Sequence, residues 1–459
     1  MSLRIKLLIF FIAALFFASG LFLFSQIMLE NGYLIEIRQL PPTLTPSPIT
    51  VSSPTATTSA SLSPSPTVIF KPRQDIPPQQ PLASPPEAVK AVYATGYSAG
   101  SKAKMDYLIK LIKETELNAM VIDIKDFSGY VLYNTDLEAV KKYGALDVRI
   151  SKLNILLKRL HDENIYAIAR ISVFQDPRLA LARPDLAFQS SSTKKLWLDN
   201  KGLAWIDPAA KAAWDYNIAI AKEALDRGFD EVNFDYIRFA SDGNLDDIIY
   251  PAWRKTRTDA DLAQTNAETK REVIKNFFKY LRKELPDVKL SADLFGLTAV
   301  NYDDLGIGQY FEDALPYFDY LAPMVYPSHY HSGFSGYQNP AKHPYEVVKY
   351  SMDEAFKRLR NWQLVNSNLN NSTTSPITNY QLPIAKLRPW LQDFDLGANY
   401  DAVMVRSEIQ AVYDAFCSPA NGRDAQICNP SSNDFGDKFG GWMLWDPNNI
   451  YTKEALINE

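Results

Sequence analysis

The feature that most restricts this chain is an alternation. From Ala88 onward, short runs rich in Val, Ile, Tyr and Phe take turns with stretches of helical periodicity, and a β/α order of this kind implies a parallel sheet wrapped by helices. Eight strands are expected, near 89–95, 119–125, 166–172, 231–237, 289–295, 319–326, 386–392 and 440–446. Eight such units predict a closed (β/α)8 TIM barrel; an open doubly wound sheet is the competing arrangement. The helices carry their own marks. Asp207-Pro208 offers a cap and a first-turn proline, Trp214, Ile218, Ala221 and Leu225 recur at helical spacing, and Gly228 ends the run. Inserts at 174–206 and 240–262 follow strands three and four, where barrel loops build active sites. The polar insert at 366–376 precedes strand seven and is expected on the opposite, structural face.

The alternation begins late. Arg4 and Lys6 precede an apolar run over 7–29, broken by Ser19, Gly20, Ser25 and Gln26, and about 20 such residues suffice to cross a bilayer. The run reads as a transmembrane signal anchor. A cleavable signal peptide is the alternative, with Ala18 and Ser19 as the small residues, but Leu21-Phe22-Leu23-Phe24 prolongs the apolar stretch beyond them. In both readings the basic start, residues 1–6, stays in the cytoplasm and the bulk is exported. The expected location is therefore the cell membrane, single-pass with the C-terminal domain outside, or secretion if the segment is cleaved. Residues 30–86 form a Pro/Ser/Thr-rich linker: 13 of the 29 prolines fall between Pro41 and Pro86 beside 15 Ser or Thr, which leaves little to bury in a core. The globular domain is expected over 87–459. It holds 43 basic against 50 acidic side chains, which argues against a nucleic-acid footprint. Cys417 and Cys428 are close in sequence in an exported segment and are expected to close a small disulfide loop; two free thiols are the alternative.

Strand parity separates structural residues from site residues. Barrel side chains alternate between the interior and the helix layer. In Val232-Asn233-Phe234-Asp235-Tyr236, outward apolar residues leave Asn233 and Asp235 inside. Strand two, with Ile122 and Ile124 outward, aims Asp123 and Lys125 inward, and strand five leaves Asp293 inward. Arg170, Tyr326, Trp390, Gln392 and Asp446 sit late in their own strands, where a barrel opens to its mouth. A structural ion-pair network is the competing account of Asp123, Lys125 and Arg170. Two carboxylates on adjacent strands suit glycosidic cleavage, which needs one ionised carboxylate and one protonated acid. Trp197, Trp205, Trp253, Trp390, Trp442 and Trp445 lie in loops after strands or in the last strands, where flat sugar faces could stack, although each taken alone is more often core. No Gly-rich phosphate loop or Gly-x-Ser-x-Gly elbow occurs, and His329-x-His331 lacks a third histidine at metal spacing. No cofactor, metal or obligate protein partner is expected.

Ile122-Asp123-Ile124-Lys125-Asp126, the block from Gly228 through Asp235 and Arg238 to Phe239, Ser291-Ala292-Asp293-Leu294-Phe295-Gly296, Met324-Val325-Tyr326-Pro327-Ser328-His329-Tyr330 and Arg388-Pro389-Trp390-Leu391-Gln392 occur in one order. Together they resemble a bacterial glycoside hydrolase family formerly catalogued as a domain of unknown function, over about Val89 to Asp446. The resemblance implies a TIM barrel related to the alpha-amylase-like glycosidases, with Asp235 as nucleophile and Asp293 as proton donor. The amylase pattern has a Glu on strand five where this chain has Asp293, which shortens the donor's reach. Asp123, Lys125, Arg170, Asn233, Arg238, Tyr326, His329, Trp390, Gln392 and Asp446 are the expected substrate-binding residues. The expected function is a membrane-tethered glycoside hydrolase acting on a cell-surface or extracellular polysaccharide; a catalytically silent glycan-binding or wall-organising protein is the alternative.

Overall fold

The computed structural model describes residues 75–253, 268–370, 385–418 and 438–458. The expected anchor, the linker up to residue 74 and Cys428 lie outside these residues. Among the described residues, no helix is long and apolar enough to cross a membrane.

Eight parallel strands close into a barrel: β1 (Val89–Ala94), β2 (Ala119–Lys125), β3 (Tyr166–Ser172), β4 (Glu231–Asp235), β5 (Lys289–Phe295), β6 (Tyr320–Met324), β7 (Trp390–Gln392) and β8 (Gly441–Trp445). Each pairs with its successor, and β8 returns to β1 with Gly441 opposite Val89 and Leu444 opposite Val92. An open sheet is thereby excluded. Five of the strands are shorter than expected, and in two of them the cause is visible. The seventh is broken at Arg388-Pro389, where proline has no N–H for the ladder, so Lys386–Leu387 pairs with β6 separately. The fourth stops at Asp235 because Tyr236 turns to φ +53°.

The covering helices are α1 (Lys102–Lys113), α2 (Leu153–Asp162), α3 (Lys211–Arg227), α4 (Lys270–Glu284), α5 (Phe311–Ala314), α6 (Pro344–Asn370) and α7 (Ala402–Phe416). Thr269 and Glu272 form a reciprocal capping box that starts α4. Helix α6 continues through Asn370, so the first part of the polar stretch expected as an insert is helical. Outward strand residues such as Ile122, Val232, Phe234, Leu290 and Leu294 pack with Leu108, Ile220 and Phe277 of the helices. Val89, Val121, Ile168, Tyr326, Trp390 and Met443 fill the barrel itself.

The domain starts earlier than the composition implied. Residues 75–86, assigned above to the linker, dock on the barrel between the N-terminus of α2 and the base. Lys152 provides no side-chain cap for α2; instead the Asp75 carboxylate accepts from the Asn154 and Ile155 N–H groups at 2.8 and 3.1 Å. The Gln79 N–H donates to the Arg227 carbonyl at 3.0 Å, and the Leu82 N–H to Asp230 at 2.6 Å. Leu82 packs against the interior cluster from below. Gly228, left-handed at φ +110°, ends α3 where a Cβ would meet the Gln79 carbonyl oxygen at 2.5 Å, so no other residue both turns the chain there and admits this segment. A proline-rich composition rules out a core of its own, but not docking on one formed elsewhere.

Candidate active site

The mouth of the barrel is organised by one guanidinium. Arg170, on β3 and 4% exposed, donates from Nη1 to Asp123 Oδ1 at 2.5 Å and from Nη2 to Asp235 Oδ2, and its Nε lies 3.5 Å from Asp293 Oδ2. The four residues come from β2, β3, β4 and β5, so inward parity on adjacent strands is what assembles them. Burial works against the Arg170 charge, but Asp123 and Asp235 outweigh it and hold the guanidinium protonated. The Tyr93 hydroxyl donates to the other oxygen of Asp123, and burial raises the Asp123 carboxyl above the usual range.

Asp293 sits deepest, 1% exposed. Its Oδ1 accepts from Asn233 Nδ2 and from Trp390 Nε1, both at 2.8 Å. Burial, and then the Asp235 charge, push its carboxyl up to about 7. Asp235 stands nearer the opening, where its Oδ1 accepts from the Tyr236 N–H at 2.5 Å. Tyr236 is left-handed at φ +53°, a backbone that a bulky side chain adopts only when its surroundings enforce it. The turn ends β4 at its carboxylate and swings the Tyr236 ring into the wall of a cavity.

That cavity, of about 300 Å³, is lined by Asp235, Tyr236, Arg238, Phe295 and Gly296 on one side and Met324, Tyr326, His329 and Tyr330 on the other. A Cβ at Gly296 would come within 2.4 Å of the Met324 carbonyl oxygen, so glycine is what lets the β5 and β6 loops approach. Burial, followed by the Lys201 charge, holds His329 below its ordinary value, leaving a neutral imidazole at the wall. Tyr326 lies near both acids: burial and then Asp293 and Asp235 raise its hydroxyl.

The structure brings together Asp123, Arg170, Asn233, Asp235, Asp293 and Trp390, and places Arg238, Tyr326 and His329 at the cavity. Lys125 is a correction. The register shifts between Asp123 and Lys125, so Asp123 pairs with Arg170 whereas Lys125 pairs with the outward Ile171. Its ammonium is fully buried 2.9 Å from Asp176 and 2.5 Å from the Ser172 carbonyl, on the helix side near the Tyr216 ring. Gln392 is fully buried and braces loops, accepting from the Ser328 N–H at 3.2 Å and donating to the Phe394 carbonyl at 2.9 Å. Asp446 accepts from the Asn448 and Ile450 N–H groups at 2.8 and 3.0 Å and closes the turn after β8. Neither Gln392 nor Asp446 lines the cavity.

Most of the tryptophans considered for sugar stacking are core, the commoner reading of each. Trp197, Trp205 and Trp442 are at most 2% exposed; Trp445, part-buried, stacks on Tyr93 with 3.8 Å between centroids and stands over Arg170. Tyr93, Tyr236 and Phe295 escaped the sequence reading. Tyr93 follows the inward parity of β1, which is the one signal that could have found it. Cys417 follows α7, and its expected partner Cys428 lies outside the described residues. Among the described residues, no three His, Cys, Asp or Glu side chains are grouped to hold a metal ion.

A closed (β/α)8 barrel with carboxylates gathered at its C-terminal mouth beside a ligand-sized cavity is the architecture of a barrel glycosidase. Residues 91–419 match the family described as "Putative glycosyl hydrolase domain", and the chain belongs to that family of glycosidases. No curated protein is similar to it. A hypothetical protein from Ruminiclostridium thermocellum is 38% identical over 47% of this chain and 98% of its own, with a TM-score of 0.39. The glycoside hydrolase domain of PgaB (BpsB) from Bordetella bronchiseptica is 14% identical over 81% of this chain and 99% of its own, and its TM-score of 0.50 is a likeness of fold. An α-galactosidase from Thermus thermophilus is 12% identical over 83% of this chain and 61% of its own, with a TM-score of 0.42.

Proposed function

We propose that this chain is a membrane-tethered glycoside hydrolase that cleaves a cell-surface or extracellular polysaccharide with a carboxylate pair. The observation that carries the reading is the contrast between two acids on one guanidinium: Asp235 is ion-paired at the cavity, while Asp293 is pushed up to about 7. Glycosidic cleavage needs that division of labour. Asp235 attacks the anomeric carbon, or activates water to do so, and Asp293 delivers a proton to the leaving oxygen. Asp123 balances Arg170, Asn233 and Trp390 orient Asp293, and Tyr326, His329 and Arg238 hold the sugar. The apolar run at 7–29 anchors the chain, the Pro-rich residues after it hold the barrel off the outer face of the membrane, and Cys417 pairs with Cys428 in a loop remote from the chemistry.

One observation favours the other reading, a glycan binder without activity: Asp293 does not line the cavity, and an Asp reaches less far than a Glu. Incubating the full chain in detergent with a panel of polysaccharides and measuring new reducing ends separates the two. Hydrolysis that disappears in Asp235→Asn supports the enzyme; binding without hydrolysis across the panel supports the binder.

A further inference from the structure

Five cations are buried among the described residues: Lys125, Arg170, Arg238, Arg358 and Arg388. Four of them have a carboxylate within ion-pair distance. Lys125 has Asp176, Arg170 has Asp123 and Asp235, Arg358 has Glu312, and Arg388 has Glu231. Arg238 is the exception. It is 8% exposed, and no carboxylate of a described residue lies within 4 Å of it. Its one hydrogen bond runs from Nη1 to the Phe239 carbonyl at 2.9 Å. The guanidinium is held instead by ring faces, 4.4 Å from the Phe295 centroid, 4.8 Å from Trp205 and 5.5 Å from Tyr236.

Rings fix the plane of a guanidinium and leave its edge donors free. Those donors belong to a residue that lines the cavity together with Asp235. Burying a cation without a paired carboxylate is costly: Asp235, Asp242 and Asp199 act on Arg238 only from beyond ion-pair distance, and burial outweighs them and lowers its proton affinity. The cost is offset when a ligand brings the missing anion. Across the cavity no further described acid repels a ligand's anion: Lys201 is near enough to act on His329, and His329 presents a neutral ring. The acids of the mouth, by contrast, are already gathered on Arg170.

We propose that Arg238 receives an anionic substituent, a carboxylate or a sulfate, on the sugar bound beside Asp235, so that the substrate is an acidic polysaccharide. This rests on the glycosidase reading above and adds the class of sugar to it.

The test uses the full chain in detergent. Polygalacturonate, alginate and hyaluronan are compared with their carboxyl-reduced forms, and chondroitin sulfate with its desulfated form, by release of reducing ends. The expected result is a preference of roughly 10- to 100-fold for an acidic polymer over its neutralised counterpart, the worth of one charge-assisted pair. Preference lost on carboxyl reduction names the carboxylate; preference lost on desulfation names the sulfate. Arg238→Gln should bring the acidic-to-neutral ratio close to one, and Arg238→Lys should keep part of it. Equal or faster cleavage of the neutral forms, or a ratio that Arg238→Gln leaves unchanged, overturns the proposal while the glycosidase reading stands. If no polymer is cleaved, calorimetry with galacturonate and galactose oligosaccharides decides: selective binding of the acidic series that Arg238→Gln removes upholds the anion site and sinks the glycosidase reading. Equal binding of the two series, or none, overturns the anion site.

Discussion

Both ends of this barrel bury charge, and they do so in opposite ways. At the base, Glu231 and Arg388 are each fully buried and matched one to one, with Ser291 Oγ donating to the same carboxylate at 2.5 Å and Tyr166 at 3.3 Å. At the mouth, three aspartates share Arg170, while Arg238 has no described acid within ion-pair distance. A balanced pair has nothing left to offer a ligand. An unbalanced cluster raises the proton affinity of one acid and leaves one cation without an ion-pair partner, the kind of perturbed charge that gathers at functional sites. The comparison also separates two meanings of buried charge, since the base pair specifies how the strands close and the mouth cluster prepares chemistry.

The largest expected effect breaks the mouth. Asp293→Asn removes the proton donor and should lower kcat by about 10²- to 10⁴-fold, with the folded state kept, because an amide still accepts from Asn233 and Trp390. Steady-state hydrolysis beside a thermal melt checks both halves. The base should break differently. Arg388→Met strands the Glu231 charge and should cost about 3–5 kcal/mol of stability, measured by denaturant unfolding, while activity per folded molecule persists. If Arg388→Met instead abolished activity without loss of stability, the division between the ends would be wrong.

The pH profile sharpens the contrast. Asp293 donates only while protonated, and its carboxyl is raised to about 7. Raising the pH through that value removes the proton, so kcat/KM should fall about tenfold per unit on the alkaline side; a rate flat from pH 6 to 9 would exclude Asp293 as the donor. The smallest effect lies away from both charge clusters. Asp75→Ala removes the cap that α2 receives from outside itself and should cost about 1 kcal/mol, visible as a small drop in melting temperature with unchanged kinetics.

Much of the barrel was legible because a strand's alternation is local. All eight strands fell where apolar runs placed them, and parity correctly turned Asp123, Asn233, Asp235 and Asp293 inward. Parity failed at Lys125 because a register shift reverses facing at one residue, and no composition or spacing announces it. The tryptophans were open between core and platform, because a ring in a loop is one or the other according to what packs over it; Trp197 and Trp205 are core, covered by residues distant in sequence.

By itself, the sequence determined the strand count, the facing of most strand residues and the family, since all three are written in short-range pattern. Tertiary structure alone decided which charges would be matched. Arg388 finds Glu231 across 157 positions, Arg170 gathers acids from three other strands, and Arg238 meets three rings and one backbone carbonyl. It also drew residues 75–86 from linker into domain, through carboxylate and carbonyl contacts that a proline-rich composition conceals. The physical reason is common to both cases: periodicity depends on neighbours along the chain, whereas the partner of a charge depends on what closure of the barrel brings within a few ångströms of it.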